Sequence, residues 1–464
     1  MEGTYDFGLV GLGVMGRNFI LNVADNGFSA YGLDTDPEKV DALRLEGEGK
    51  KVDGTTGKAQ FIQHLSKPRK IMLLVPAGAP VDAVIADLLP LMDKGDLIID
   101  GGNSFFTDTN RRAEELQAKG VHFIGTGVSG GAKGARFGPS IMPGGDKAAY
   151  ELVKPIFEAV AAKVNGEPCV DYMGAKSAGN YVKMVHNGIE YGLMQLISEI
   201  YDVLKTGLGK NNEELHKIFT DWNNDRLKSF LIEITSEIFV QKDEETGGDL
   251  VDIILDKAKQ KGTGKWTSQN AMDLGTPIPT IDVAVSMRAI SSFKSDRLKA
   301  QNLYPKPALP ANLPSIQDIE AALFFAFIVT YAQGMTQLVA ASKEYHYELD
   351  LAVISKIWRG GCIIRAELLE DMRKAFTKKN DLKSLLLDED FARKLNASVG
   401  GARKVATFAI SAGIPVAGLS ASLSYFDAFT TGRLPLNLIQ AQRDHFGSHT
   451  YERLDKEGIF HTEW

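Results

Sequence analysis

In YVKMVHNGIEYG, residues 181–192, Lys183, His186, Asn187 and Glu190 recur at the i, i+3, i+4 and i+7 spacing that lines one face of a helix. A solvated surface row would have the same spacing. Here, however, Val182, Val185, Ile189, Leu193 and Leu196 cover the remaining faces, and the row itself runs on into Met194 and Ile197. A helix that is apolar nearly all round is buried, and its few polar groups then need partners or a task. Burial lowers a lysine pKa and raises a carboxyl pKa, so Lys183 and Glu190 can exchange protons near neutrality as a base and an acid. Beside a nicotinamide, the lysine could take a hydroxyl proton as hydride leaves the same carbon.

Two other stretches suit an anionic substrate. GVSGGAKGA, residues 127–135, follows a predicted strand and could turn several backbone N–H groups towards a carboxylate, at the end of the sheet where open α/β folds bind ligands. KGTGKWT, residues 261–267, offers Lys261, Thr263 and Lys265 between glycines. It is no P-loop, since Lys259 stands where the first glycine should be and Trp266 where the Ser or Thr should be. Taken alone, it reads equally well as an exposed basic loop.

GLGVMG, residues 11–16, fits the dinucleotide fingerprint G-x-G-x-x-G. It follows a strand ending at Val10, opens a helix predicted from Arg17 to Asn26, and precedes a second strand ending at Asp34. Gly11 permits the tight turn, Gly13 lets the backbone approach a pyrophosphate, and Gly16 lets helix and strand pack closely, with the helix N-terminus facing the anion. Asp34 would accept from a ribose 2′-hydroxyl and repel a 2′-phosphate. Asp36 adds to that repulsion, and Lys39 is the one nearby cation, so the residues favour NAD over NADP.

These groups need a scaffold, and the chain supplies two kinds. Up to about residue 175, short apolar runs (YDFGLV, FSAYGLD, KIMLLVP, DLIIDGG, HFIGTGVSG) alternate with amphipathic segments, which predicts a mainly parallel, doubly wound sheet. From Ser177 to about residue 434 the period becomes helical. The expected organisation is an α/β Rossmann-like dinucleotide domain (1–176), a large all-α domain (177–434) and a tail (435–464). LYPKPALPANLP should cross the surface between helices. Two similar segments near 189–196 and 329–338, each followed by a Trp-bearing helix, suggest a duplicated helical unit or a chance likeness of apolar helices.

Composition narrows the function classes. The chain has 464 residues, 44% hydrophobic and 24% charged, and its 52 Lys and Arg against 59 Asp and Glu give a net charge of −7. That balance argues against nucleic acid or an acidic membrane as partner. Cys169 and Cys362 have no metal-ligand spacing and suit a reducing compartment. The opening MEGTYDFGLVGLG enters a strand without a basic leader, and the longest near-unbroken apolar run, Ala321 to Val329, is too short to span a bilayer, so the expected location is cytoplasmic.

Taken together, GLGVMG, IIDGGNS, GVSGGAKGARFGPSIMPGG, KMVHNGIEYG, KGTGKWT and NLIQAQRDHFGSHTYER resemble the decarboxylating 6-phosphogluconate dehydrogenases, from the first strand to the tail. The resemblance implies that Lys183 acts as base on the 3-hydroxyl and then, protonated, polarises the 3-keto group as carbon dioxide leaves. Glu190 would then protonate the enediol to give ribulose 5-phosphate. It implies no metal. It further places Ser129, Gly130, Gly131 and His186 on the substrate carboxylate, Asn103 and Asn187 on its hydroxyls, and Tyr191, Lys261, Thr263 and Arg288 on its phosphate. Met15, Val75 and Asn103 join Gly11, Gly13, Gly16 and Asp34 on the cofactor side. Arg443 and His449 would complete the phosphate site of a neighbouring subunit, which implies a homodimer.

Two positions depart from the family. Where it usually carries Asn-Arg-Thr, with the arginine meeting the 2′-phosphate of NADP, this chain has Asp34, Thr35 and Asp36; Pro76 stands where a lysine is common. Two rival readings are a β-hydroxyacid dehydrogenase for an unphosphorylated substrate and a dinucleotide-binding protein without catalysis. The first would leave Lys261, Arg288 and Arg443 without a phosphate to bind, and the second would leave Lys183 and Glu190 without a purpose.

Overall fold

A computed structural model describes residues 4–464 of the chain. The first part is a seven-stranded sheet of β1 (Phe7–Val10), β2 (Ala30–Leu33), β3 (Val52–Thr55), β4 (Lys70–Leu73), β5 (Leu97–Asp100), β6 (His122–Ser129) and β7 (Ser140–Gly145), in the order β3-β2-β1-β4-β5-β6-β7. All neighbours are parallel except β6 and β7. The runs FGLV, IML and LII within β1, β4 and β5 are apolar because helices cover both faces of the sheet. Strand order reverses between β1 and β4, which opens a crevice beyond their carboxyl ends. The fingerprint glycines follow β1 into that crevice, and Val75 lies just past β4.

After β7 the chain passes through the helix Lys147–Val160 and a short hairpin, returns to β7 at Met173, whose N–H donates to the Pro143 carbonyl, and enters the helix Ala178–Asp202. This helix carries the Lys183 row, and it packs against β6, β7 and the 30-residue helix Ile316–Tyr345. The long helix starts at a capping box, in which the Ser315 hydroxyl accepts from Asp318 N–H and the Asp318 carboxylate from Ser315 N–H. It is long and apolar enough to cross a membrane, yet 89% of that stretch is buried among other helices, as in a bundle core. The two Trp-bearing segments are also helical, Asn212–Asn223 with Trp222 and Leu351–Trp358 with Trp358.

Several features differ from the sequence reading. β3 and β7 form where VDGT and SIMPGG gave no strand pattern, and the first fingerprint helix runs from Val14 to Asp25 rather than from Arg17. Met194 is 42% exposed, so the apolar continuation of the Lys183 row reaches solvent there. The tail is less polar in shape than in composition. Its helix Asn437–Gly447 and the bridge between Tyr451 and Phe460 leave Leu436, Leu438, Ile439, Phe446, Leu454 and Ile459 exposed.

Candidate active site

Lys183, His186 and Asn187 are buried on one face of the Ala178–Asp202 helix, with Glu190 at its partly open end. Lys183 Nζ lies 3.4 Å from His186 Nδ1, and His186 Nε2 lies 3.2 Å from Ser129 Oγ at the end of β6. His186 Nδ1 also lies 3.2 Å from Asn187 Oδ1 and 3.9 Å from Glu190 Oε2. Burial lowers the Lys183 pKa, while Glu190 and Cys362 pull it back up; burial raises that of Glu190 against the pull of Lys183 and Arg288. His186, buried beside Lys183, is held well below its ordinary pKa and stays neutral. Ionisation of this lysine and carboxyl is therefore balanced by environment. If the Lys183 ammonium donates to Nδ1, the imidazole proton sits on Nε2 and points at Ser129, leaving the serine hydroxyl free to donate to a carboxylate.

The turn after β6 is shaped for close approach. Gly130 has φ +124°, and a β-carbon there would lie 2.4 Å from the Gly361 carbonyl oxygen, so only glycine fits. Gly131 follows at the start of the short helix Gly131–Phe137. Asn103 is exposed just past β5, and the loop that bears it is tied to the row helix: Asn180, one turn before Lys183, donates to the Gly102 carbonyl and accepts from the Thr109 hydroxyl.

A second cluster lies beyond Glu190. The Arg288 guanidinium stacks over the Tyr191 ring, 3.4 Å from its centroid, donates to the Lys259 carbonyl and approaches the Met194 thioether. These recorded partners are uncharged, and burial pushes the guanidinium pKa down although Tyr191 and Glu190 oppose the shift. Such a cation is arranged to receive an anion. KGTGKWT is not an exposed loop. Thr263 begins the helix Thr263–Asp273 and is buried, Lys261 stays exposed at its mouth, and the Thr267 hydroxyl donates to the Met184 carbonyl beside Lys183.

At the crevice, Gly11 (φ +97°) donates its N–H to the Leu33 carbonyl, and a β-carbon on Gly16 would lie 1.8 Å from the Gly11 carbonyl oxygen. Nothing lies within 4 Å of where a Gly13 β-carbon would be, so the backbone is open to a ligand at the helix N-terminus. Met15 is half-buried on that helix, and the Val75 side chain flanks Gly11. Asp34 Oδ2 accepts from Leu12 N–H at 2.7 Å and Oδ1 from Asp36 N–H at 3.0 Å. Lys39 Nζ stands 3.6 Å from both Asp34 and Asp36. These residues fit a dinucleotide. Pro76 is exposed in the turn after β4, and nothing around it explains its departure from lysine.

The structure also adds residues that the sequence reading lacked. Trp358 is fully buried with its ring edge-on to His186, at 5.5 Å. Cys362 donates to the Trp358 carbonyl, and its thiol is pushed up to about 12 by burial although nearby Lys183 pulls it down. No local pattern announces either contact, whereas Asn180 sits on the row face at i−3 and could have been found. Arg443 and His449 are not brought to this site within one chain. Arg443 is exposed and bonds Gln440, and His449 packs on Phe446, so both stay inside the tail.

Comparison with known proteins matches this arrangement along the whole chain. Residues 6–174 match a family described as the NAD binding domain of 6-phosphogluconate dehydrogenase, and residues 179–464 match one described as the 6-phosphogluconate dehydrogenase C-terminal domain. The chain is 53% identical over 461 residues to the Bacillus subtilis NADP(+)-dependent, decarboxylating 6-phosphogluconate dehydrogenase, covering 98% of each chain. It is 51% identical over 461 residues to the decarboxylating enzyme of Escherichia coli K12, again covering 98% of each. A solved Plasmodium falciparum 6-phosphogluconate dehydrogenase, described in apo form and in complex with NADP+ and with 6-phosphogluconate, superposes with a TM-score of 0.96 at 44% identity, over 99% of this chain and 100% of that one. The chain belongs to the 6-phosphogluconate dehydrogenase family.

Proposed function

We infer that this chain oxidatively decarboxylates 6-phosphogluconate to ribulose 5-phosphate and carbon dioxide, with reduction of a nicotinamide dinucleotide. The observation that carries this reading is buried Lys183 standing against His186, itself paired with Ser129, with Glu190 at the far end of the row. Neutral Lys183 accepts the proton of the 3-hydroxyl. The dinucleotide, held by Gly11, Gly13, Gly16, Met15, Val75, Asp34 and Asn103, supplies the hydride acceptor. The resulting ammonium of Lys183 donates to the 3-keto oxygen, so electrons from the breaking carbon–carbon bond flow into an enediol as carbon dioxide departs. Glu190 then gives its proton to the enediol carbon.

Substrate binding divides between two ends. Ser129, Gly130, Gly131 and His186 hold the carboxylate; Asn103 and Asn187 hold hydroxyls; Tyr191, Lys261, Thr263 and Arg288 hold the phosphate. Remote phosphate binding fixes the reacting carbon against Lys183, which is how binding at a non-reacting group lowers a barrier. Arg443 and His449 complete the phosphate pocket of a second copy, and the apolar residues exposed on the tail are the surface that a homodimer covers. Residues 1–176 bind the dinucleotide, 177–434 form the substrate and dimer domain, and 435–464 the exchanged tail. Two free, buried cysteines suit a cytoplasmic enzyme.

For the cofactor we propose NAD over NADP, because two carboxylates, Asp34 and Asp36, follow the second strand with Lys39 3.6 Å from each, and their charge would repel a 2′-phosphate. The name of the Bacillus subtilis relative points the other way. Reduction of NAD and of NADP by purified protein with 6-phosphogluconate, compared as kcat/KM at one pH and salt concentration, tests both statements. Turnover with neither refutes the activity, and preference for NADP refutes the assignment to NAD.

A further inference from the structure

Asp444 lies between Arg443 and the turn that bears His449, and it is fully buried within an otherwise exposed tail. Its carboxylate takes four donors. Oδ1 accepts from Thr450 N–H at 2.9 Å and faces His461 Nδ1 at 2.8 Å; Oδ2 accepts from Thr462 N–H and Trp464 Nε1–H, each at 3.0 Å. The Asp444 backbone carbonyl also accepts from Ser448 N–H at 2.8 Å. Gln440, one turn earlier on the same helix, accepts from Arg443 at 3.1 Å through its amide oxygen and donates to the Thr450 carbonyl at 2.5 Å.

His449 is therefore held between two residues in the left-handed region, Ser448 at φ +50° and Thr450 at φ +60°. A β-branched threonine adopts that conformation only when its surroundings impose it. Here the imposing groups are the Asp444 carboxylate on the Thr450 N–H and the Gln440 amide on its carbonyl. The strand-like closure between Tyr451 and Phe460 brings residues 461–464 back to the same carboxylate.

We propose that Asp444 is a positioning residue of the phosphate site: it clamps the turn bearing His449 to the helix bearing Arg443, and residues 461–464 set the clamp. The proposal rests on the reading that Arg443 and His449 complete the phosphate pocket of a second copy. Neither Asp444 nor Trp464 needs to touch substrate. An aspartate suits this place because both of its oxygens accept, whereas an asparagine would turn an NH2 towards two of the four donors.

The test uses the intact dimer and the variants Asp444→Asn, Trp464→Phe, Arg443→Ala and the double variant Asp444→Asn/Arg443→Ala. Asp444→Asn is expected to raise the KM for 6-phosphogluconate about tenfold, leaving the KM for the dinucleotide and the mass in solution unchanged. Trp464→Phe, which removes one donor and keeps the aromatic packing, should raise it roughly two- to threefold. In the double variant the two effects should fail to add, because Asp444 acts through the residue already removed. An Asp444→Asn enzyme with the unaltered KM, or full additivity in the double variant, overturns the proposal. Should Asp444→Asn not assemble, an unaltered KM in Trp464→Phe overturns it instead. If Arg443→Ala itself leaves the KM unchanged, the tail-to-phosphate reading fails and takes this proposal with it; a raised KM in Arg443→Ala beside unaltered Asp444→Asn refutes the clamp alone.

Discussion

Gly127 in β6 touches the stem of Lys183: a β-carbon on the glycine would lie 2.4 Å from Lys183 Cβ and 3.1 Å from the Gly179 carbonyl oxygen. β6 is hydrogen-bonded to β5 on one side and β7 on the other, so the strand cannot yield and the helix must. Gly127→Ala is therefore expected to push the lysine off its position, reducing kcat about 10- to 100-fold, the scale of an ångström-level misplacement at a reacting centre. Overpacking should also cost about 1–3 kcal/mol of stability. The dinucleotide KM should stay within about twofold, since the crevice lies at β1 and β4. Steady-state kinetics with a thermal melt would check this, and an undisturbed kcat would show that the lysine does not depend on that contact.

The proton inventory of the row sets its pH dependence. In the proposed mechanism the working state carries one proton on the Lys183–Glu190 pair, neutral amine with neutral carboxyl. At low pH Lys183 gains a second proton and cannot act as base. At high pH Glu190 loses its proton and cannot act as acid, so kcat/KM is expected to be bell-shaped. Burial lowers one pKa and raises the other, so the limbs converge on the neutral range. Glu190→Gln should flatten the alkaline limb. Because the carboxyl is already neutral along the acid limb, a neutral amide in its place should leave that limb where it is. The rate should fall about 10²- to 10⁴-fold, the usual contribution of a positioned acid. An alkaline limb retained in that variant would place the acid elsewhere.

Much of this was legible before any coordinates. β1, β4 and β5 are continuous apolar runs, and the Lys183 row is visible from its period alone. β3 was hidden because VDGT has a single large apolar residue and pairs only at the sheet edge. β7 was hidden because SIMPGG carries a proline and two glycines, which a strand tolerates beside a single long antiparallel partner. Contacts such as Trp358 on His186, or Asp100 and Arg112 paired behind the Asn103 loop, join distant segments and leave no local period. The tail's apolar residues, among them Leu436, Leu438, Ile439, Leu454 and Ile459, are scattered among charged ones without a helical or strand period and stay exposed, so no core pattern marks them in the sequence.

Asp34 is tied to the fingerprint loop, and in the proposed reading it also meets the ribose. Its two oxygens accept the Leu12 and Asp36 N–H groups, so its charge and its hydrogen bonds can be separated by substitution. Asp34→Asn keeps one acceptor and removes the charge, and it should raise the ratio of kcat/KM for NADP over NAD roughly tenfold, the scale of one unit charge near a protein surface. Asp34→Ala should shift the ratio similarly but also lower stability by about 1–3 kcal/mol, because two N–H groups lose their acceptor. Parallel assays with both dinucleotides and a melting curve separate the two effects. A ratio unmoved by either substitution would mean that the carboxylate serves the loop alone.

Arg288 offers the sharpest separation between a phosphorylated and an unphosphorylated substrate. It is half-buried, stacked on Tyr191, and bonded to a carbonyl and a thioether, and among the described residues its charge has no ion-pair partner within 4.0 Å. If that charge receives the phosphate, Arg288→Gln removes charge-assisted hydrogen bonds of about 1.5–3 kcal/mol, and the KM for 6-phosphogluconate should rise roughly 10- to 150-fold. The folded state should lose little, since an unpaired, partly desolvated cation contributes no attraction of its own. The KM for the dinucleotide should not move. Unchanged kinetics with 6-phosphogluconate would mean that no phosphate sits on Tyr191 and Arg288, and would return the β-hydroxyacid dehydrogenase reading to first place.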